Sequence, residues 1–213
     1  MIPRSRKTRL LRLLPSALVV TRLSGADKVL YLTFDDGPDS DHTPPILDLL
    51  RDHGATASFF LIGDRVDGES AVVDRIVAEG HQLGNHSWTH PFMSDLPLAR
   101  QLDEIDRTDR KLAEFDGIAR HPFRPPCGVL PLNLLWHYAV NRRAIAYWSY
   151  DSHDYQRLPP DQLVSGMAAD PPRSGDVVLM HDDSAVTSAA LAVVLPEWRR
   201  QGFQVRALPA LNA

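Results

Sequence analysis

The stretch Val29-Leu30-Tyr31-Leu32-Thr33-Phe34-Asp35-Asp36-Gly37-Pro38 decides the fold. Its first half is aliphatic, aromatic and β-branched, the composition of a strand, and its second half gathers Asp, Gly and Pro, the composition of a turn. Residues 29–33 are therefore expected as a strand that delivers two adjacent carboxylates at its end. The same phrase recurs along the chain. Strands are expected at 57–62 (closed by Gly63), 81–84, 122–124, 143–149, 177–180 and 203–206. Between them apolar residues take helical spacing. Ile46, Leu49 and Leu50 mark a helix over 46–51, and Val72, Val73, Ile76 and Val77 one that stops near Gly80. Leu98, Leu102, Ile105, Leu112 and Phe115 share one face of a long helix. A short helical or irregular stretch covers 132–138, and Leu163, Val164 and Met167, then Leu191, Val194, Leu195 and Trp198, mark the last two helices.

Alternating strands and helices specify a mainly parallel sheet with helices outside it. About seven such units form an α/β fold, a distorted (β/α) barrel of about seven parallel strands with outer helices; a doubly wound open sheet is the alternative. With 213 residues the chain builds one well-cored domain. The expected division is a lead-in segment, 1–28, packed on a domain spanning 29–213. A formal charge of −4 lacks the basic footprint of a nucleic-acid binder. The single cysteine, Cys127, excludes an internal disulfide.

Arg4, Arg6, Lys7 and Arg9 precede an apolar stretch, 10–20, in the manner of an export signal. Arg12 and Pro15 interrupt it and no small-residue cleavage site follows. It is also too short to span a bilayer, so no transmembrane segment is expected. A short helix or a lead-in strand is the preferred reading, which favours a cytoplasmic location over a secreted or periplasmic one.

Both candidate folds bind ligands at the carboxyl ends of their strands. Titratable residues fall there repeatedly: Asp35 and Asp36, then His86 and His90, Arg124, Asp151 and Asp154, and His181. Each alone has a plain structural explanation; together they resemble an active site. In Asp35-Asp36 adjacent side chains leave in different directions, so one can bind a metal while the other faces a substrate. In His86-Ser87-Trp88-Thr89-His90 the histidines share a face if the segment is a helical turn, and the spacing suits two imidazoles on one ion. With Asp36 as the candidate third ligand, two His and one carboxylate leave a position open for water. Zinc is the default metal, although other divalent ions such as cobalt or nickel suit this set.

Asp35 is then placed to act as base, with Arg124 pairing it to keep it ionised and oriented. The constrained loop Arg124-Pro125-Pro126-Cys127-Gly128 offers a backbone N–H to an oxyanion. His181 ends the apolar strand as the candidate general acid, with Asp154 as its partner; Asp151 is read as structural. Trp88, Trp136, Trp148 and Tyr155 are candidate sugar-stacking surfaces, although core packing is the commoner fate of aromatics.

These segments, with Asp151-Ser152-His153-Asp154-Tyr155 and Leu179-Met180-His181, resemble those of the polysaccharide deacetylases with a NodB homology domain, carbohydrate esterase family 4. The resemblance runs in order from about Val29 to the C-terminus. It implies a distorted barrel, a divalent metal that is commonly zinc, and an acetylated carbohydrate as substrate. It implies that Asp35 is the base, that Asp36, His86 and His90 are the ligands, that Arg124 orients Asp35, and that Asp154 tunes the acid His181. Leu179 is implied in lining the pocket for the acetyl methyl. Two positions depart from the family pattern. Cys127 stands where Tyr is usual and Tyr155 where Trp is usual, and both touch the surroundings of the acyl group. The rival readings are a deformylase or other amide hydrolase acting on a lipid-linked amino sugar, and a non-catalytic carbohydrate-binding protein.

Overall fold

The structure is a computed structural model that describes residues 11, 13–23 and 28–211. Most of the apolar stretch weighed as an export signal lies within it, whereas Arg4, Arg6, Lys7, Arg9, Leu10 and Arg12 lie outside. The strands are β1 (Val19–Val20), β2 (Val29–Asp35), β3 (Ser58–Leu61), β4 (Gln82–Asn85), β5 (Ile145–Ala146), β6 (Tyr150–Asp151), β7 (Val177–His181) and β8 (Gln204–Arg206). The described α-helices are α1 (Thr43–Asp52), α2 (Ser70–Ala78), α3 (Leu98–Asp116), α4 (Leu132–Val140), α5 (Pro160–Ala169) and α6 (Ala185–Arg200). Local chemistry sets several of their ends. Pro44 and Pro45 open α1, where a missing N–H costs nothing. Gly117, at φ 73°, closes α3. The Ser184 hydroxyl accepts from the Val186 N–H at the start of α6.

β2 is the hub. Tyr31 to Asp35 pair in parallel with Val177 to His181 of β7. On its other side Thr33 to Asp35 pair with β3, while Val29 to Tyr31 pair with β8. From β3 the pairing passes to β4, then by single parallel bridges from Asn85 to Phe123 and from Phe123 to Ile145. The same segment continues into β6, which pairs with β7 and so returns to β2. The result is a parallel (β/α) circuit, distorted where single bridges carry it.

The structure corrects two strands and places a third outside the circuit. The strand expected at 122–124 is only the bridge at Phe123, because Pro122, Pro125 and Pro126 remove the N–H donors a ladder needs. The strand expected at 143–149 is broken into β5 and β6. Between them the chain changes partners: the Tyr147 N–H donates to the Val20 carbonyl and the Ser149 N–H to the Val177 carbonyl. The seventh strand, β8, extends the sheet along the first half of β2 and stands outside the circuit. Part of the expected lead-in is a strand, since β1 pairs in parallel with β5.

Side-chain alternation along β2 sorts the two layers. Leu30, Leu32 and Phe34 join the large core shared with Ile46, Leu47 and Leu50 of α1 and Leu191 and Leu195 of α6. Tyr31, Thr33 and Asp35 point the other way, towards the interior that holds Phe60, Ala146 and Val177. The alternation thus aims Asp35 inward and leaves Asp36 at the mouth.

Gly84 in β4 has no room for a side chain, since a Cβ there would meet the Phe60 ring at 2.6 Å. Gly84→Ala is expected to destabilise the fold by about 1–3 kcal/mol through overpacking, measured by urea unfolding.

Candidate active site

The carboxyl ends of the strands open on a cleft of about 530 Å³. Asp35, Asp36, His86, His90 and His181 line it, with Cys127, Leu179 and Tyr155 around them. The expected base, acid, metal ligands and acyl-pocket residues are all there. Arg124 and Asp154 stand one layer behind, where their contacts reach the cleft through Asp35 and His181.

Asp36, His86 and His90 offer ligand atoms that all lie within 4.8 Å of one another. The Asp36 Oδ1 is 3.4 Å from the His86 Nε2 and 3.1 Å from the His90 Nε2. The His86 Nδ1 lies 2.8 Å from the Arg124 carbonyl, which assigns its proton to Nδ1 and leaves the Nε2 lone pair facing Asp36. Two acceptors cannot satisfy one another, and the buried Asp36 Oδ1 has no hydrogen-bond partner. A divalent cation resolves that conflict, so the donor set fits a metal.

The two histidines meet differently from the helical turn the spacing suggests. Residues 86–90 form an irregular bend, with Ser87 at φ 69° and His90 at φ 57°. Within the bend the Ser87 N–H donates to the Asn85 Oδ1 and the His90 N–H to the Ser87 Oγ, and from outside Glu104 accepts from the Thr89 N–H. The rings end with centroids 5.0 Å apart.

Asp35 is held from behind. Arg124 is wholly enclosed; its Nη1 donates to the Asp35 Oδ1 at 2.6 Å and to the Thr33 Oγ1 at 2.9 Å, and its Nη2 to the Tyr147 carbonyl at 3.0 Å. The guanidinium stacks 4.1 Å from the Phe60 ring centroid. Burial draws its pKa down while the Asp35 charge opposes that shift. The other oxygen, Oδ2, turns towards the cleft, 3.8 Å from the His86 Nε2.

His181 has the same kind of support. Its Nδ1 lies 2.7 Å from the Asp154 Oδ1, and its backbone N–H donates to the Asp154 Oδ2 at 2.7 Å. Thr187 donates to that same Oδ2. Burial alone would lower the imidazolium pKa, but the hydrogen bond and charge of Asp154, with Asp35 and Asp36 beyond, push it up to about 10.

Residues 23–142 match the family model described as polysaccharide deacetylase. The chain belongs to the polysaccharide deacetylase family. It is 35% identical over 206 residues to a chitooligosaccharide deacetylase of Bradyrhizobium sp. (strain ANU 289), covering 89% of this chain and 93% of that one. It is likewise 35% identical over 197 residues to a peptidoglycan-N-acetylglucosamine deacetylase of Bacillus cereus, covering 89% and 91%. The peptidoglycan deacetylase PdaC from Bacillus subtilis superposes with a TM-score of 0.80 at 28% identity, over 89% of this chain and 92% of that one.

Within this deacetylase fold, four cleft residues were not singled out as lining it: Tyr147, Gly128, Asp151 and His153. The His153 Nδ1 pairs with the Tyr155 hydroxyl at 3.0 Å, and the Asp151 Oδ1 accepts from the His153 N–H. Burial raises the Asp151 pKa. For Asp151 and His153 the signal in the sequence was a titratable side chain within three residues of Asp154. Of the four candidate stacking aromatics, Trp148 and Tyr155 line the cleft. Trp88 instead packs under Arg107, and Trp136 is exposed on α4.

Arg124→Met would leave Asp35 buried without its partner. The expected loss is about 3–5 kcal/mol of folding stability, read by chemical denaturation of the metal-free protein.

Proposed function

We propose that this deacetylase removes acetyl groups from glycans built of N-acetylated amino sugars, using Asp35 and His181 across a metal held by Asp36, His86 and His90. The observation that carries this reading is the pair of inward-facing groups with opposite supports, a carboxylate fixed by Arg124 and an imidazole fixed by Asp154. The relatives named for chitooligosaccharide and peptidoglycan N-acetylglucosamine point to the same substrate class.

A divalent ion at the three ligands, zinc by their chemistry with cobalt or nickel as substitutes, would polarise the acetyl carbonyl and acidify a water. Asp35 accepts that water's proton at Oδ2, because Oδ1 is committed to Arg124. The Cys127 backbone N–H serves the developing oxyanion from a loop held at φ 53°. His181 donates from Nε2 to the leaving nitrogen, since its Nδ1 is committed to Asp154. Leu179 and Trp148 close the apolar side of the cleft around the acetyl methyl, and Tyr155, half exposed, borders the sugar. A glycan-binding protein without turnover would have no use for two buried supports aimed at proton-transfer groups.

Acetate release from chitin oligosaccharides and peptidoglycan fragments is expected from zinc-loaded protein and is abolished by a chelator; no release from any of them by protein with bound metal would refute the proposal. Asp35→Asn is expected to keep metal binding while losing about 10²–10⁴-fold in turnover.

The acid role carries a pH signature. A general acid works only while protonated, and Asp154 raises the pKa of His181. Asp154→Asn removes that charge, so the alkaline limb of the kcat/KM profile should move to lower pH. An unmoved limb would remove His181 as the titrating acid.

A further inference from the structure

The end of β2 and the loop that leads from it to α1 carry both carboxylates of the centre, and a group that the reaction does not touch anchors that loop from the far side. Asp182 follows His181 and is wholly enclosed. Its backbone N–H donates to the Asp35 carbonyl at 3.2 Å, which extends the β2–β7 pairing by one residue. Its Oδ2 accepts from the Thr43 hydroxyl at 2.6 Å. Thr43 opens α1, and its hydroxyl accepts from the Asp39 N–H at 3.0 Å while its N–H donates to the Asp39 carbonyl at 2.9 Å. One carboxylate thus holds the far end of the turn that begins at Asp35.

It also occupies the turn's inner side. A Cβ on Gly37 would come within 2.6 Å of the Asp182 Oδ1 and 2.7 Å of its Cγ, and closer still to its Oδ2. Such approaches do not occur for real side chains, and Gly37 does not have the left-handed backbone that would itself call for glycine. Gly37 is therefore glycine for room, and the room is filled by Asp182. The Gly37 carbonyl in turn accepts from the Ile62 N–H at 2.8 Å, so the turn is clamped between β3 and β7. An apolar residue at 182 would fill the same space without the cost of enclosing a carboxylate, but it would release the Thr43 hydroxyl.

We propose that Asp182 is a positioning residue for the metal centre, setting through Gly37 and Thr43 the turn that aims Asp36 and Asp35 and locking that turn to the strand that delivers His181. The inference rests on Asp36 being a metal ligand. Asp182 touches neither metal nor substrate; it acts by holding a ligand-bearing loop in place, as supporting residues behind metal ligands do.

The test is titration of the metal-free full chain with cobalt(II), followed by its visible absorption, alongside kcat and KM for an acetylated chitin oligosaccharide. Asp182→Ala is expected to weaken cobalt binding by about 10- to 100-fold and to lower kcat with little change in KM. Asp182→Asn keeps the volume and still accepts from Thr43, so it should stay close to wild type. Thr43→Val, nearly isosteric, should shift in the same direction as Asp182→Ala, and it carries the test if circular dichroism shows Asp182→Ala unfolded. Gly37→Ala should cost less affinity in the Asp182→Ala background than in wild type, because the obstructing carboxylate is gone. Wild-type cobalt affinity and kcat in both Asp182→Ala and Thr43→Val would overturn this inference alone. Loss in Asp182→Asn equal to that in Asp182→Ala would overturn it too, because it would put the effect in the charge rather than the tether. A wild-type chain that binds no cobalt would overturn the metal-centre reading and this inference with it.

Discussion

A guanidinium enclosed in the interior, with its counter-charge at the end of the central strand, is the constraint on which the rest of the site depends. Arg124 cannot shed its proton, so its burial is tolerable only if its N–H groups find fixed acceptors and a carboxylate balances it. The barrel supplies them to the two Nη groups from three places, Thr33 and Asp35 on β2 and the Tyr147 carbonyl at the break between β5 and β6, and leaves Nε without a hydrogen-bond partner. Phe60 and Trp148 enclose the charge. The Arg124 carbonyl meanwhile receives the His86 Nδ1. One residue therefore orients Asp35 through its side chain and His86 through its backbone, and any shift of the 122–124 segment moves both.

The price of this arrangement is visible in the backbone. Of the non-glycine residues with left-handed φ, Asp36, Ser87, His90, Cys127 and His153 lie in the loops that build the cleft. Such conformations are uncommon for residues with a Cβ and persist where surrounding contacts over-determine them. Here the contacts are identifiable. Asn85 and Ser87 tie down the histidine bend, Asp151 accepts from the His153 N–H, and the Arg65 guanidinium donates to the Asp36 carbonyl. Asp182 and Gly37 add a clamp of another kind, made by exclusion of volume.

The alternation of strand and helix, the burial of β7 and the clustering of titratable residues at strand ends were legible because they depend on short-range periodicity and on a general rule of parallel sheets. The histidine pair was legible as a pair, but its conformation was not: the i, i+4 spacing suggests a helical turn, and side chains of Asn85 and Ser87 impose a bend instead. The strand at 122–124 was overstated because prolines on both sides leave only Phe123 able to bridge. The 143–149 strand was read as continuous because nothing in its composition reveals a change of partners in mid-course. His153 and Asp182 look like ordinary loop residues until tertiary contacts bring them to the cleft and behind its first turn.

By itself the sequence determined which chemical groups the protein owns and the order in which parallel strands deliver them, since periodicity and turn composition act over a few residues at a time. It also carried enough of five ordered segments to resemble a family whose membership the comparisons then established. Only the tertiary structure decided which oxygen of Asp35 faces Arg124 and which the cleft, which nitrogen of His86 faces Asp36, and why position 37 must be glycine. Those are questions of distance between segments far apart in the chain, such as residues 35 and 124 or 37 and 182, and packing alone sets such distances.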